Sequence, residues 1–134
     1  MRKKFFWALA PLNRVMSNLA TTRYPSDHIE YVVGDVCQML PARHESPIAI
    51  LRLDTDWYAS TRCELECLYP QLQPGGILIV DDYGHWDGSR RACDEYLARC
   101  GGTLHPVSGD DTGYFLVKGS DALSMEFSKS LRIR

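Results

Sequence analysis

No glycine precedes Gly34 in this chain of 134 residues. The stretch before it therefore holds no glycine-rich turn of the kind that lets a backbone close on a nucleotide. Net positive charge is also lacking: the formal charge is −2, which leaves no basic field to hold nucleic acid. No apolar run approaches the roughly 20 residues that a membrane span requires, so no membrane partner is expected.

Paired cysteines at zinc spacing are likewise missing. The five cysteines, Cys37, Cys63, Cys67, Cys93 and Cys100, are an odd number and sit inside apolar segments, which predicts reduced core thiols and a cytoplasmic setting. Cys63 and Cys67 share a helical face at C-x3-C spacing, yet no second Cys or His pair completes a zinc site. At the start of the chain, Arg2, Lys3 and Lys4 precede a short apolar run in the manner of a signal peptide, but Pro11 and Asn13 interrupt it. An N-terminal helix over 1–20, or the edge of a truncated frame, is the expectation.

What is present is alternation. Hydrophobic residues make up 45% of the chain and charged residues 24%, ordinary for a globular protein, and the length predicts a single domain over 1–134. Ile29 to Gly34 is rich in β-formers and predicts a strand; Val36 to Leu40 predicts a short helix stopping before Pro41. Ile48 to Asp54 is apolar enough for a buried strand, and Ser60 to Leu72 predicts a helix capped by Ser60 or Thr61, with Glu64 in a capping box.

Pro74-Gly75-Gly76 should end that element, and Ile77 to Val80 forms the next strand. Ser89 to Cys100 follows as a helix with Ala92, Cys93, Tyr96 and Leu97 on one stripe. Thr103 to Val107 and Gly113 to Lys118 flank the turn residues Ser108 to Asp111, which predicts a hairpin. An α/β fold with a mostly parallel sheet and a C-terminal antiparallel hairpin is the outline.

Two strands of that outline end in acid: Leu53-Asp54-Thr55-Asp56 and Val80-Asp81-Asp82. In a parallel sheet the carboxyl ends of neighbouring strands line one crevice, so these carboxylates are expected to converge. Gathered carboxylates repel, and a hard divalent cation such as Mg²⁺ relieves the repulsion with oxygen ligands. Such a cation binds a hydroxyl and stabilises it as its proton leaves.

The run Leu51-Arg52-Leu53-Asp54-Thr55-Asp56-Trp57-Tyr58-Ala59-Ser60-Thr61, then Leu68-Tyr69, Pro74-Gly75-Gly76 and Asp81-Asp82-Tyr83-Gly84-His85-Trp86 with Gly88 and Ala92, resembles the macrocin O-methyltransferases of the TylF type. The likeness extends over residues 14–118. It implies the second half of a Rossmann-like class I methyltransferase fold. It also implies methyl transfer from S-adenosylmethionine to a hydroxyl of a glycosylated natural product, assisted by Mg²⁺.

Carried onto this chain, the resemblance implies Asp54, Asp81 and Asp82 as metal ligands. Asp56 is the expected base, since it faces the same crevice without holding the metal, and Asp54 competes for that role and for contact with the cofactor. His85 is a further catalytic candidate because it follows the acidic pair and titrates near neutrality. Asp35 is expected beside the adenine, or else as a helix cap. Trp57, Tyr83 and Trp86 are expected either to wall the acceptor pocket or to pack in the core. His28, His44 and His105 are expected at the surface.

The chain departs from that pattern twice. Catechol-type relatives use a lysine shortly after the first metal aspartate, where Trp57 and Tyr58 stand here, which favours a sugar acceptor. The glycine-rich turn and the acidic residue for the ribose are absent, which leaves three readings open: truncation, completion by another chain, or a non-catalytic remnant that binds metal or a partner. An incomplete sheet exposes an edge, so a homodimer is a further expectation. A haloacid-dehalogenase-type phosphatase is the weaker alternative. Asp54-Thr55-Asp56 mimics its D-x-D motif, but Tyr58 stands where Thr or Val belongs, and no lysine lies between Arg43 and Lys118.

Overall fold

The computed structural model describes residues 10–42, 46–107 and 109–120. The chain divides into two compact units, Met1–Val32 and Val33–Arg134. In the first, α1 spans Leu12–Ala20. Its start carries Pro11 at the N-cap, where the missing N–H costs nothing. A short 3₁₀ turn follows over Ser26–His28.

The second unit carries the sheet. Helix α2 (Val36–Met39) leads through a 3₁₀ turn at Leu40–Ala42 to β1 (Ile48–Leu53), α3 (Tyr58–Leu68), β2 (Leu72–Val80), α4 (Asp87–Cys100), β3 (His105–Pro106) and β4 (Tyr114–Val117). The strand order is β1-β2-β4-β3. The pair β1·β2 is parallel, whereas β2·β4 and β3·β4 are antiparallel. The sheet is thus mixed rather than mostly parallel, because the terminal hairpin inserts β4 directly against β2.

Alternation along the strands sorts the two faces. Leu51, Leu53, Leu78, Val80 and Leu116 point to one face, where they pack with Leu65, Tyr69, Cys93 and Leu97 of the helical layer. Leu65 and Leu78 are fully buried, each contributing about 1.5–3 kcal/mol by leaving water. On the other face Ile50, paired in register with Ile77, is 64% exposed. No strand pairs with the outer edge of β1 among the described residues.

Several expectations are corrected. Ile29 to Gly34 forms no strand, and Val32 and Val33 are exposed. A β-rich composition makes a strand only where a neighbour accepts its hydrogen bonds, and none does so among the described residues. Helix α3 begins at Tyr58 and not at Ser60, its N-cap Trp57 makes no side-chain cap, and a 3₁₀ turn at Tyr69–Gln71 follows it. Pro74-Gly75-Gly76 lies inside β2 and not before it. Proline is tolerated there because the β1·β2 register slips between Ile48 and Ile50.

Of the cysteines only Cys93 is buried, with Cys63 and Cys67 half-buried and Cys37 and Cys100 exposed. Burial and hydrogen bonding with Cys37 push the Cys63 thiol up to about 12, which disfavours the thiolate a metal would need. His105 is half-buried on β3 rather than at the surface, and its Nε2 has no hydrogen-bond partner among the described residues. His44 and Ser108 lie outside the described residues.

Leu78→Ala opens a cavity in the core that Leu78 shares with Leu51, Leu65 and Leu97. We expect a loss of about 2–5 kcal/mol in urea unfolding. A loss below 1 kcal/mol would show that this core is not the one holding the sheet.

Candidate functional site

Leu53 and Val80 are partners in register, and the Asp81 N–H donates to the Leu53 carbonyl at 3.0 Å. The parallel ladder therefore delivers both acidic segments to one end of the sheet. There an oxygen of each of Asp54, Asp56 and Asp82 lies within 4.8 Å of the others. Asp81 takes another partner: Arg52 Nη2 meets its Oδ1 at 2.8 Å, while Nη1 meets Asp54 Oδ2 at 2.8 Å.

The loop that carries Asp54 and Asp56 is pinned from beneath. Asp56 adopts φ 62°, a left-handed conformation uncommon outside glycine, and the Trp57 N–H closes back on the Thr55 carbonyl at 2.6 Å. Strain of this kind persists only where the surroundings over-determine it. Ser60 Oγ donates to the Trp57 carbonyl at 3.0 Å and lies 3.2 Å from that of Thr55. The Thr55 hydroxyl donates to Glu64 Oε2 at 2.9 Å.

Glu64 is only 7% exposed. Burial raises its carboxyl pKa, and the Thr55 hydroxyl partly offsets the rise. Sequence reading assigned this residue to a capping box. Thr61, Glu64 and Leu65 are all buried, so i, i+3, i+4 spacing was the signal for a carboxylate on the core side of α3. Arg52 was also passed over, although its i, i+2 relation to Asp54 puts both on one face of β1.

The second loop is equally fixed. The Asp82 carbonyl accepts from the N–H groups of His85 and Trp86 at 3.1 and 2.9 Å, and Arg90 donates to the Tyr83 and Gly84 carbonyls at 3.1 Å each. A Cβ on Gly84 would sit 2.5 Å from the Asp111 carbonyl, and one on Gly88 would sit 2.8 Å from the Tyr58 nitrogen. Both glycines are required by close approach of the backbone.

Aromatic residues follow both acidic segments in the sequence. Trp57, 67% exposed, stands 6.0 Å from Trp86 between ring centroids, and His85 packs edge-on against Trp86 at 4.9 Å. Tyr83 turns away from them, donating its hydroxyl to Asp94 at 2.7 Å. Asp35 accepts the Cys37 N–H at 2.8 Å as N-cap of α2. A cavity of about 520 Å³ lined by Tyr69, Tyr96, Leu116 and Lys118 includes none of the four aspartates. Lys118 donates to the Tyr69 and Leu72 carbonyls there, which is a structural role.

The donor set is all oxygen and all acidic, which suits a hard divalent cation. Burial, a hydrogen bond with Asp56 and the charges of Asp56, Asp54 and Asp81 push Asp82 up to about 6. Its unfolded value is near ~3.9, so the metal-free fold holds this proton more tightly than the unfolded chain does. The stabilisation is complete below pH ~4 and is lost as pH rises through about 6. In chelated buffer, Asp82→Asn should flatten the fall in melting temperature across that window; parallel curves for the two proteins would refute the shared proton.

Comparison with known proteins bears on the site. The profile of the macrocin-O-methyltransferase (TylF) family matches residues 4–115. The chain is 38% identical over 106 residues to 8-demethyl-8-(2,3-dimethoxy-alpha-L-rhamnosyl)-tetracenomycin-C 4'-O-methyltransferase of Streptomyces olivaceus, covering 78% of this chain and 40% of that protein. It is 32% identical over 104 residues to mycinamicin III 3''-O-methyltransferase of Micromonospora griseorubida, covering 78% and 41%. The solved O-methyltransferase NovP superposes with a TM-score of 0.73 at 29% identity, covering 81% of this chain and 45% of that one. This chain thus spans less than half the length of these relatives, within the class I O-methyltransferase fold. Sharing the family's profile over most of its length, it belongs to the macrocin O-methyltransferase (TylF) family.

Proposed function

We propose that this chain supplies the acceptor-activating half of an S-adenosylmethionine-dependent O-methyltransferase that acts on a sugar hydroxyl of a natural product. The observation that carries the reading is the meeting of Asp54, Asp56 and Asp82 within 4.8 Å at the carboxyl ends of β1 and β2. Magnesium fits these residues, with Asp54, Asp81 and Asp82 as the proposed ligands; when bound it stabilises negative charge on the acceptor oxygen. Asp81 would contribute through the oxygen that Arg52 does not engage.

Asp56 takes the proton. The acceptor oxygen then attacks the donor methyl carbon in line, and the C–S bond breaks as the C–O bond forms. Asp54 is the competing base, disfavoured because its charge is already shared with Arg52 and the metal. His85, exposed beside Trp86, is proposed to face the acceptor. Trp57 and Trp86 are proposed to wall its ring; Tyr83, held by Asp94, is not. Asp35 caps α2 with one oxygen and is proposed to meet the adenine with the other.

The second reading, a remnant that binds metal or a partner without transfer, is favoured by one fact: the glycine-rich turn is missing from this sequence. No strand pairs with the outer edge of β1 among the described residues, which fits completion by a second copy or another chain. A phosphatase gains no support from the family. No helix among the described residues is long and apolar enough to cross a membrane.

Calorimetry with S-adenosylmethionine distinguishes the readings: saturable binding favours transfer, and its absence favours the remnant. Where transfer to a rhamnoside is measured, Asp56→Asn should slow turnover by about 10²–10⁴-fold and chelation should abolish it. Trp57→Ala should raise KM more than it lowers kcat. An Asp56→Asn variant with undiminished kcat would move the base to Asp54.

A further inference from the structure

Arg52 precedes Asp54 by two residues, so the pleat of β1 puts the two side chains on the same face. The register that pairs Leu53 with Val80 sets Asp81 next to Asp54 on that face. One guanidinium then touches both: Nη1 meets Asp54 Oδ2 and Nη2 meets Asp81 Oδ1, each at 2.8 Å. The two contacts reach across two strands, and the planar, rigid fork of arginine fixes the spacing between them.

All three side chains are about half exposed, and ion pairs in such surroundings add little to stability. Their significance is geometric. Two explanations compete: Arg52 is a resident counter-ion occupying the place of the metal, or it is a brace that sets ligands in position. The arrangement favours the brace. With both Arg52 contacts made, oxygens of Asp54, Asp56 and Asp82 still lie within 4.8 Å of one another. Asp56 and Asp82 make no ion pair with Arg52 among the described residues. The three oxygens thus stay grouped while the guanidinium is engaged by Asp54 and Asp81.

We propose that Arg52 is a positioning residue for the cation site: it braces the ends of β1 and β2 by holding Asp54 and Asp81 together, so that both are presented to the cation beside Asp82, with Asp56 next to them. This rests on the metal reading given above. Without the brace, none of the four carboxylates keeps an ion pair among the described residues, and their mutual repulsion spreads them. Lysine is a poor substitute, because one ammonium replaces a fork that reaches two partners.

The test is titration of the full chain with manganese(II) alone, followed by electron paramagnetic resonance, for the parent, Arg52→Gln, Arg52→Lys and the remote control Arg62→Gln. Arg62 pairs with Glu66 on α3 and touches none of the four aspartates in the ion pairs described. Melting temperatures of the metal-free proteins accompany each titration. We expect Arg52→Gln to weaken manganese binding by about tenfold or more, as loss of a group orienting metal ligands typically does. Arg52→Lys should fall between it and the parent, and Arg62→Gln should match the parent.

A glutamine variant that folds and binds manganese as tightly as the parent, or more tightly, overturns the brace, tighter binding being the mark of a competing counter-ion. If that variant does not fold, parent-like affinity in the lysine variant overturns it equally. Failure of the parent itself to bind manganese overturns the metal reading and the brace with it. Parental binding with unaltered variants leaves the metal reading standing and removes only Arg52.

Discussion

Parallel pairing of β1 with β2 is the constraint on which the site depends. Asp54 and Asp81 are distant in sequence, and nothing local brings them together. The ladder that sets Leu53 against Val80 and joins the Asp81 N–H to the Leu53 carbonyl makes the two strands end at the same level. Acidic residues that follow each strand then have nowhere to go but one crevice. The hydrophobic face holds that pairing in place: Leu51, Leu53, Leu78 and Val80 share one core with α3 and α4, and a one-residue slip would turn each of them toward water.

A second layer of control lies beneath the acidic loops. Thr55, Ser60 and Glu64 tie the β1 loop to α3, while Arg90 on α4 ties the β2 loop through the Tyr83 and Gly84 carbonyls. Each loop is thus anchored to the helix that follows it. The strained backbone at Asp56 persists only because of that anchoring, and a carboxylate held in a fixed direction is what the proposed base requires. The buried Glu64 carboxyl shows the cost of the arrangement, since burial disfavours its charged form.

One face and one edge of the sheet stand open among the described residues. Ile50 and Arg52 stand exposed on the face away from α3 and α4, and the outer edge of β1 carries no strand among the described residues. The relatives are more than twice as long as the stretch they share with this chain. The site proposed here is one for acceptor and metal, and the glycine-rich turn that sequence reasoning expects for the methyl donor is absent from these 134 residues.

Taken alone, the sequence determined the β1, α3, β2, α4 alternation, the terminal hairpin and the convergence of acid at two strand ends. Each of these is written in residue periodicity or in residues adjacent along the chain. It was also enough to single out the aspartates through a long ordered likeness. Tertiary structure alone decided that Ile29 to Gly34 would not be a strand, that Pro74 to Gly76 would run within one, and that Asp56 would join Asp54 and Asp82 while Asp81 turned to Arg52. The reason is physical: a strand exists only with a partner, and which oxygens of a carboxylate cluster meet depends on register, loop strain and counter-charges that come from elsewhere in the chain.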